Sequence, residues 1–216
     1  MRPYDRAVRC TDELISRLTT TGQSRDFSRA FVILLRELAQ GHPVAPATLA
    51  RALGATEDCV ESLLADVMNI ERDGNGHIIG YGLTQRETVH GFRVGSRQLY
   101  TWCAFDTLFL PILIDQSAQV VSHCPATGAR ISLTVMPDAV CDITPAAAAV
   151  SLIRPQETSD IRQAFCCHVH FFASQTAGAG WASAHPGVEI VAIEEAFAAG
   201  RDRARTLLAR FDAPRA

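Results

Sequence analysis

The chain of 216 residues carries a formal net charge of −3, and 48% of its residues are hydrophobic while 20% are charged. This balance is typical of a compact soluble protein and gives no overall bias toward nucleic acid or acidic lipid. Lysine is absent and all 20 basic residues counted in this charge are arginines, which excludes enzymes that need a Schiff-base lysine, a pyridoxal phosphate anchor or a P-loop lysine.

Helices are predicted along most of the first 67 residues. Apolar residues recur at spacings of three and four within residues 4–20 and 27–40, which indicates two amphipathic helices. Two shorter helices follow in "PATLARALG" and "TEDCVESLLADVM", and Thr56 is the expected N-cap of the second. The segments "DGNGHIIGYGL" and "ETVHGFRV" then predict a β-hairpin. Together these elements predict a helical, winged-helix-like N-terminal domain over residues 1–95.

Charge argues against nucleic acid as the partner of this winged-helix pattern. A recognition helix needs cations for the phosphates, but residues 57–67 contain Glu57, Asp58, Glu61 and Asp66 without a basic residue. We therefore expect no nucleic-acid binding, and we interpret the helical domain as structural or as a lid over a site elsewhere.

The second half of the chain changes to short strands. The segment "RQLYTWCAFDTLFLPILI" predicts a helix that ends near Pro111. Four strands are predicted in "AQVVSHC", "RISLTVM", "AVCDI" and "AAVSLI", a short helix in "QETSDIRQAF", a strand in "CCHVHFF" and a final amphipathic helix in "IEEAFAAGRDRARTLLARF". The fold class is therefore α+β, with a catalytic domain of mostly antiparallel sheet and flanking helices over residues 96–216.

Location is inferred from features that the chain lacks. No apolar run approaches the roughly 20 residues that cross a bilayer, and the N-terminal segment lacks the apolar stretch of a secretory signal. The seven cysteines are an odd number and are scattered, as expected of free thiols in a reducing compartment. These features predict a cytoplasmic protein without membrane contact.

A thiol and a carboxylate are predicted to meet on one helix. Cys103 and Asp106 are three residues apart, a spacing that places side chains on one helical face. The alternative is that Cys103 is one more small core residue and Asp106 a solvated helix position. However, an acid flanked by Trp102, Phe105 and further apolar residues is unusual, so both interpretations stay open at this point.

A second candidate lies in "CCHVHFF". Strand alternation would place Cys166, His168 and His170 on one face and Cys167 on the other. Such a face could bind metal, but the spacing of a structural zinc site is missing. We interpret Cys124, in "SHCPATG", as a buried structural thiol.

These segments together resemble the organomercurial lyase (alkylmercury lyase) family, whose members split carbon–mercury bonds. The resemblance covers nearly the whole chain apart from roughly the first 25 residues and the extreme C-terminus. The segments that carry it are "LLRELAQGHPV", "TLARALG", "DGNGHIIGYGLTQRET", "LYTWCAFDTLFLPILI", "VVSHCPATGARISLTV", "AVSLIRPQETSDIRQAFCCHVHFFAS" and "WASAHPG".

The resemblance implies which residues act. The family's catalytic trio of two cysteines and an aspartate falls on Cys103, Cys166 and Asp106, which would also contact the mercury of substrate and product. Its structural cysteine falls on Cys124, and the histidines of "CCHVHFF" become ordinary strand residues. The roles of Cys10, Cys59, Cys141, His168 and His170 are left undetermined.

The resemblance also implies a reaction and its partners. The expected reaction is protonolysis of an organomercurial to a hydrocarbon and Hg(II) in mercury detoxification, without a cofactor. External cellular thiols or a mercuric reductase would accept the Hg(II), and we expect a monomer. The alternative is a winged-helix protein that binds or senses mercury without cleaving it.

Overall fold

The computed structural model describes residues 25–65, 67, 69–154 and 160–212. The helix predicted over residues 4–20 lies outside these described residues. The architecture within them is α+β, with a short helical region that precedes a large antiparallel sheet and a small second sheet.

Three of the predicted N-terminal helices are present. They are α1 (Arg25–Leu38), α2 (Pro46–Leu53) and α3 (Glu57–Ala65). Helix α2 begins with its proline in the first turn and ends at Gly54, whose φ of 65° is in the left-handed region that glycine adopts without strain. Leu34, Leu35 and Leu38 of α1 are buried, as the apolar spacing predicted.

Eight strands form the main sheet. They are β1 (Glu71–Arg72), β2 (Ile78–Tyr81), β3 (Leu83–Thr84), β4 (Gly91–Val94), β5 (Arg97–Thr101), β6 (Ala118–His123), β7 (Arg130–Val135) and β8 (Val140–Thr144). Their order is β1-β2-β3-β5-β4-β6-β7-β8, and every neighbouring pair is antiparallel. The strands predicted in residues 118–144 are confirmed.

The predicted hairpin between "DGNGHIIGYGL" and "ETVHGFRV" is wrong in its pairing. Strand β2 pairs with β1 across a tight turn and with β3, while β4 pairs with β5 and β6. The Asp73 carboxylate accepts hydrogen bonds from the backbone N–H of Asn75 and His77. An aspartate in this role closes a turn inside the segment that we interpreted as its first strand.

The helix predicted over residues 97–111 begins later and ends later. Residues 97–101 form β5, where the alternation of buried Leu99 and Thr101 with more exposed neighbours has the period of a strand. Helix α4 (Ala104–Ile114) follows and continues through Pro111. Every residue of α4 except Asp106 is buried, as expected of a core helix that is apolar on all sides.

The remaining elements form a second layer around α4. They are β9 (Ala149–Ile153), α5 (Ile161–Ala164), a 3₁₀ turn (Cys166–His168), β10 (Phe171–Phe172), α6 (Gln175–Ala182), β11 (Val188–Ala192) and α7 (Ile193–Asp212). Strand β9 is buried along its whole length and pairs antiparallel with β10 and β11. Helix α7 packs against α4 and α1. The sequence pattern did not indicate α6 or β11.

The strand predicted for "CCHVHFF" is mostly wrong. Cys166 to His168 form the 3₁₀ turn, and only Phe171 and Phe172 pair with β9. The Ser151 side chain donates to the carbonyl of His168 at 2.7 Å and accepts the N–H of His170 at 2.8 Å. The His168 carbonyl and the His170 N–H are therefore bonded to a side chain and not to the backbone of β9. The predicted common face of Cys166, His168 and His170 is therefore wrong. Among the described residues, no helix is long and apolar enough to cross a membrane.

Candidate active site

Three side chains that the sequence singled out lie together. The Sγ atoms of Cys103 and Cys166 and a carboxylate oxygen of Asp106 all lie within 4.8 Å of one another. Both cysteines are buried, with 0% and 6% of their surfaces exposed. Within the described residues, no other group of three or more His, Cys, Asp or Glu side chains is arranged to hold a metal ion.

The start of helix α4 positions Cys103 and Asp106. Cys103 is the N-cap residue, with the extended backbone (φ −147°, ψ 171°) that an N-cap adopts. The Asp106 carboxylate, at the third helical position, accepts the Cys103 N–H at 3.1 Å, which forms half of a capping box. The two residues therefore meet across the N-terminus of a helix, where a negative charge is also favoured by the helix dipole.

The 3₁₀ turn positions Cys166 against this helix end. The first N–H of α4, from Ala104, donates to the carbonyl of Val169 at 3.1 Å and ties the helix to the segment after Cys166. The hydrogen bonds of Ser151 hold the same segment from the other side. Cys166 consequently points inward while its neighbour Cys167 is exposed. Turn geometry, and not strand alternation, separates the two thiols.

Burial makes Asp106 a weak acid. Desolvation raises the pKa of Asp106 to about 6, although hydrogen bonds from Cys103 and the charge of Arg162 act in the opposite direction. A carboxyl with this pKa exchanges its proton readily near neutral pH. Asp106 can therefore both accept and return a proton.

The two thiols differ in how they ionise. Desolvation raises the pKa of Cys103 well above its usual range, and its hydrogen bond with Cys166 and the charge of Asp106 add to this. For Cys166 the hydrogen bond with Cys103 lowers the pKa, but desolvation and the charges of Asp106 and Cys167 outweigh it, so that its pKa is also raised. Cys166 thus receives a hydrogen bond that favours its thiolate, whereas Cys103 needs a base.

A narrow apolar cavity opens onto Asp106 and Cys166. Its volume is about 30 Å³, and its walls are largely aromatic. Helix α1 contributes Phe31 to these walls, so one residue of the helical region lines the cavity. The other aromatic lining residues are Tyr81, Trp102, Phe109 and Phe165. Such walls suit an apolar organic group better than a hydrated ion.

Sequence reasoning missed two charged residues beside the site. The Glu71 carboxylate accepts hydrogen bonds from the Trp102 indole N–H at 3.1 Å and from Arg162 Nη1 at 2.7 Å. The Arg162 guanidinium lies over the Trp102 ring, 5.0 Å from its centroid. An acid next to a turn is usually exposed, so the sequence offered little signal for Glu71.

The other singled-out residues lie outside this cluster. Cys124 is buried at the turn after β6, and His170 lies between the rings of His90 and Trp181 with Nε2 at 3.1 Å from the carbonyl of Cys167. Cys59 is exposed and Cys141 is half-buried. His168 contributes its backbone to the turn, and Cys10 lies outside the described residues.

Comparison with known proteins gives consistent matches along the chain. Residues 83–205 match the family model described as alkylmercury lyase, and residues 10–82 match the helix-turn-helix domain of alkylmercury lyase. The alkylmercury lyase of Pseudomonas putida is 49% identical over 191 residues, which is 88% of this chain and 90% of that protein. The alkylmercury lyase of Streptomyces lividans is 44% identical over 200 residues, which is 91% of this chain and 93% of that protein.

A solved structure is also similar. The crystal structure of the mercury-bound form of MerB2 superimposes with a TM-score of 0.70 and 26% sequence identity, covering 82% of this chain and 90% of that chain. The two matched family regions meet between residues 82 and 83, whereas we predicted a domain boundary between residues 95 and 96. The main sheet contains strands from both sides of each position, and our boundary stays a prediction.

Proposed function

The chain belongs to the alkylmercury lyase family and cleaves carbon–mercury bonds in mercury detoxification, and from this premise we propose that Cys103, Asp106 and Cys166 carry out the cleavage. One observation carries the proposal, namely that two thiols and a carboxyl converge within 4.8 Å in the interior of the protein. The cavity beside them gives an organic group a place to bind.

The first step is capture of the organomercurial by thiolate. Mercury(II) is a soft cation that prefers thiolate ligands. Cys166 reacts first, because it lines the cavity that receives the organic group and Cys103 does not. Its sulfur replaces the original ligand of mercury, which leaves with the thiol proton. The product of this step is an R–Hg fragment bound to Cys166.

The second step transfers a proton from Cys103 to Asp106. Burial disfavours the Cys103 thiolate, so the Asp106 carboxylate, with its pKa raised to about 6, serves as the nearby base. Once deprotonated, the Cys103 sulfur binds the same mercury. Two sulfur donors then weaken the bond between mercury and carbon.

The third step is protonolysis. A free carbanion is too basic to leave, so carbon must be protonated as its bond to mercury breaks. Asp106 returns the proton, the electron pair of the mercury–carbon bond forms the new C–H bond, and the hydrocarbon departs. Hg(II) remains on the thiolates of Cys103 and Cys166, and Asp106 is again a carboxylate. No redox change occurs in this sequence.

Product release requires an acceptor outside the chain. Two external thiols exchange onto Hg(II) and return their protons to Cys103 and Cys166, which restores the starting state. Cellular thiols, with mercuric reductase as the final Hg(II) acceptor, are the partners we propose. We further propose a cofactor-independent, monomeric enzyme that works in the cytoplasm.

The assignment is tested by hydrocarbon release from phenylmercury in excess thiol. Cys103→Ser and Cys166→Ser should each abolish benzene release, because a hydroxyl is a poor ligand for mercury. Cys167→Ser is the matched control, since this exposed thiol is adjacent to Cys166 in the same turn, and it should retain most of the rate. Loss of benzene release in Cys167→Ser together with normal release in Cys166→Ser would overturn the assignment.

A further inference from the structure

A buried carboxylate near the site has no part in the cleavage steps. Glu71 lies in β1 and only 6% of its side chain is exposed. Three side chains donate to its two oxygens. Trp102 and Arg162 donate to Oε1, at 3.1 and 2.7 Å, and Thr84 donates to Oε2. A buried charge with so many partners fixes the groups that surround it.

The sheet leaves room for this carboxylate. Glu71 and Thr84 lie on either side of Gly80 in neighbouring strands, in register with it. A Cβ at residue 80 would lie 2.5 Å from Glu71 Oε2 and 2.6 Å from Thr84 Oγ1. Glycine at this position therefore allows the Glu71 side chain to cross β2 and reach Thr84.

The same carboxylate holds the Trp102 ring on several sides. Its Oε1 accepts the indole N–H, and it also holds Arg162, whose guanidinium covers the ring face at 5.0 Å. The Tyr81 ring packs edge to face against Trp102 with centroids 5.3 Å apart. Trp102 is thus fixed by a hydrogen bond, a cation and an aromatic ring, and two of these contacts depend on Glu71.

Trp102 is also a wall of the reaction cavity. It directly precedes Cys103 and lines the cavity together with Asp106, Cys166 and Tyr81. With a cavity volume of about 30 Å³, a small displacement of the indole changes the space next to mercury. The position of this ring therefore decides how an organic group sits against Cys166.

We propose that Glu71 is a positioning residue for the organic group of the substrate, acting through Trp102 and Arg162. This inference rests on the proposed function of Cys103, Asp106 and Cys166. The Trp102 wall contacts the organic group before and during cleavage, so Glu71 contributes to binding in both states and its loss raises KM more than it lowers kcat. The contribution is larger for a phenyl group, which covers more of the wall, than for a methyl group.

The test uses Glu71→Gln in a Trp181→Phe background. The chain has two tryptophans, so Trp102 is then the only indole emitter. KM and kcat are measured with phenylmercury and methylmercury in excess thiol, and quenching of Trp102 fluorescence by acrylamide reports how firmly the ring is held. Glu61→Gln is the control, because it removes a surface ion pair of 2.9 Å with Arg72 near the same hairpin.

We expect Glu71→Gln to raise KM for phenylmercury about tenfold, the scale of losing a hydrogen bond to a charged group, while kcat changes less than about twofold. KM for methylmercury should rise less, acrylamide quenching should increase, and Glu61→Gln should leave all values unchanged. A purely structural role would lower the melting temperature without changing the phenyl-to-methyl ratio of KM, and that result would overturn the proposal.

Arg162→Lys serves if Glu71→Gln does not fold. Lysine keeps the charge beside Glu71 but loses the planar group that stacks on the indole, so the same selective rise in KM for phenylmercury is expected. An unchanged KM and unchanged quenching would contradict the proposal. Benzene release that persists in Cys103→Ser or Cys166→Ser would instead count against the proposed function, so the two failures are distinguishable.

Discussion

Two buried thiols, Cys103 and Cys124, have opposite ionisation behaviour. Desolvation, the hydrogen bond with Cys166 and the Asp106 charge raise the pKa of Cys103. Desolvation also acts to raise the pKa of Cys124, but hydrogen bonds from the Thr127 side chain and from backbone N–H groups of Ala126, Thr127 and Ala173 lower it overall. The thiol that ionises more easily is therefore the one that lies outside the candidate site.

If Cys103 binds mercury as we propose, acidity alone does not identify a mercury-binding thiol. Reactive cysteines are often recognised by a lowered pKa, but the donors that lower the pKa of Cys124 also occupy its sulfur. Cys103 instead has a second thiol and a base within reach, and its pKa stays raised although the Asp106 backbone N–H donates to its sulfur. In the reaction that we propose, mercury replaces the Cys103 proton and Asp106 accepts that proton.

The largest expected effect that sharpens this comparison is a pH dependence of cleavage. Asp106 must be ionised to accept the Cys103 proton, and its pKa is raised to about 6. We expect kcat/KM to be level above this pH and to fall about tenfold per pH unit below it. A profile of initial rates between pH 4.5 and 8 checks this. A level profile down to pH 4.5 would mean that Asp106 is not the base.

Replacing the other thiol should affect stability and leave the chemistry intact. Cys124→Ser shortens the bond that carries the acceptor atom and so moves it away from the donors around Cys124, and the weakened hydrogen bonds are expected to cost about 1–3 kcal/mol in the free energy of unfolding. Single-turnover cleavage by the folded fraction should be unchanged. Chemical denaturation and rapid-quench measurements on the same preparation separate the two effects. Normal stability with lost cleavage would place Cys124 in the reaction.

Asp106→Asn should make the protein more stable at high pH. The folded pKa of about 6 exceeds the usual 3.8. The wild-type protein therefore loses stability as the pH rises from 3.8 to about 6, and the loss is complete above that pH. Asparagine avoids this loss. The gain in the free energy of unfolding at pH 8 is at most about 3 kcal/mol. Because the Asp106 side chain is partly exposed, we expect about 1 kcal/mol. Melting curves at pH 4 and pH 8 test the sign, and a variant that is less stable at pH 8 would contradict it.

Much of the fold followed from local pattern. The apolar spacing of α1, the helix signals of α2 and α3 and the alternation of β6 to β8 were sufficient. The secondary-structure predictions were wrong where one segment carries signals for two kinds of structure. In residues 97–101 strand alternation precedes a helical run, and Asp73 closes a turn inside a segment that we interpreted as a strand. Pairing with β3 and β4 makes residues 97–101 a strand, and the Asp73 side chain makes its own segment a turn.

The candidate site was only partly predictable. The spacing of Cys103 and Asp106 indicated their proximity. Cys166, which follows Asp106 by 60 positions, is brought to them by tertiary structure and was selected by family resemblance. Our reason from the residues, strand alternation, was wrong, since Cys166–His168 form a 3₁₀ turn and the Ser151 side chain bonds the backbone that follows it. Glu71 could not be predicted, because its burial depends on Gly80, Trp102 and Arg162 from other elements.

The most direct test of the central claim measures mercury uptake and hydrocarbon release together in Asp106→Asn. Asparagine keeps the shape of the side chain and both sulfur ligands but cannot carry the proton. We predict one equivalent of bound organomercury after removal of weak thiol complexes, with hydrocarbon release lowered about 10² to 10⁴-fold, as is typical for loss of a general acid. Release at a near-normal rate would remove Asp106 from proton transfer, and an equal loss of uptake and release would make it a ligand or a structural residue instead.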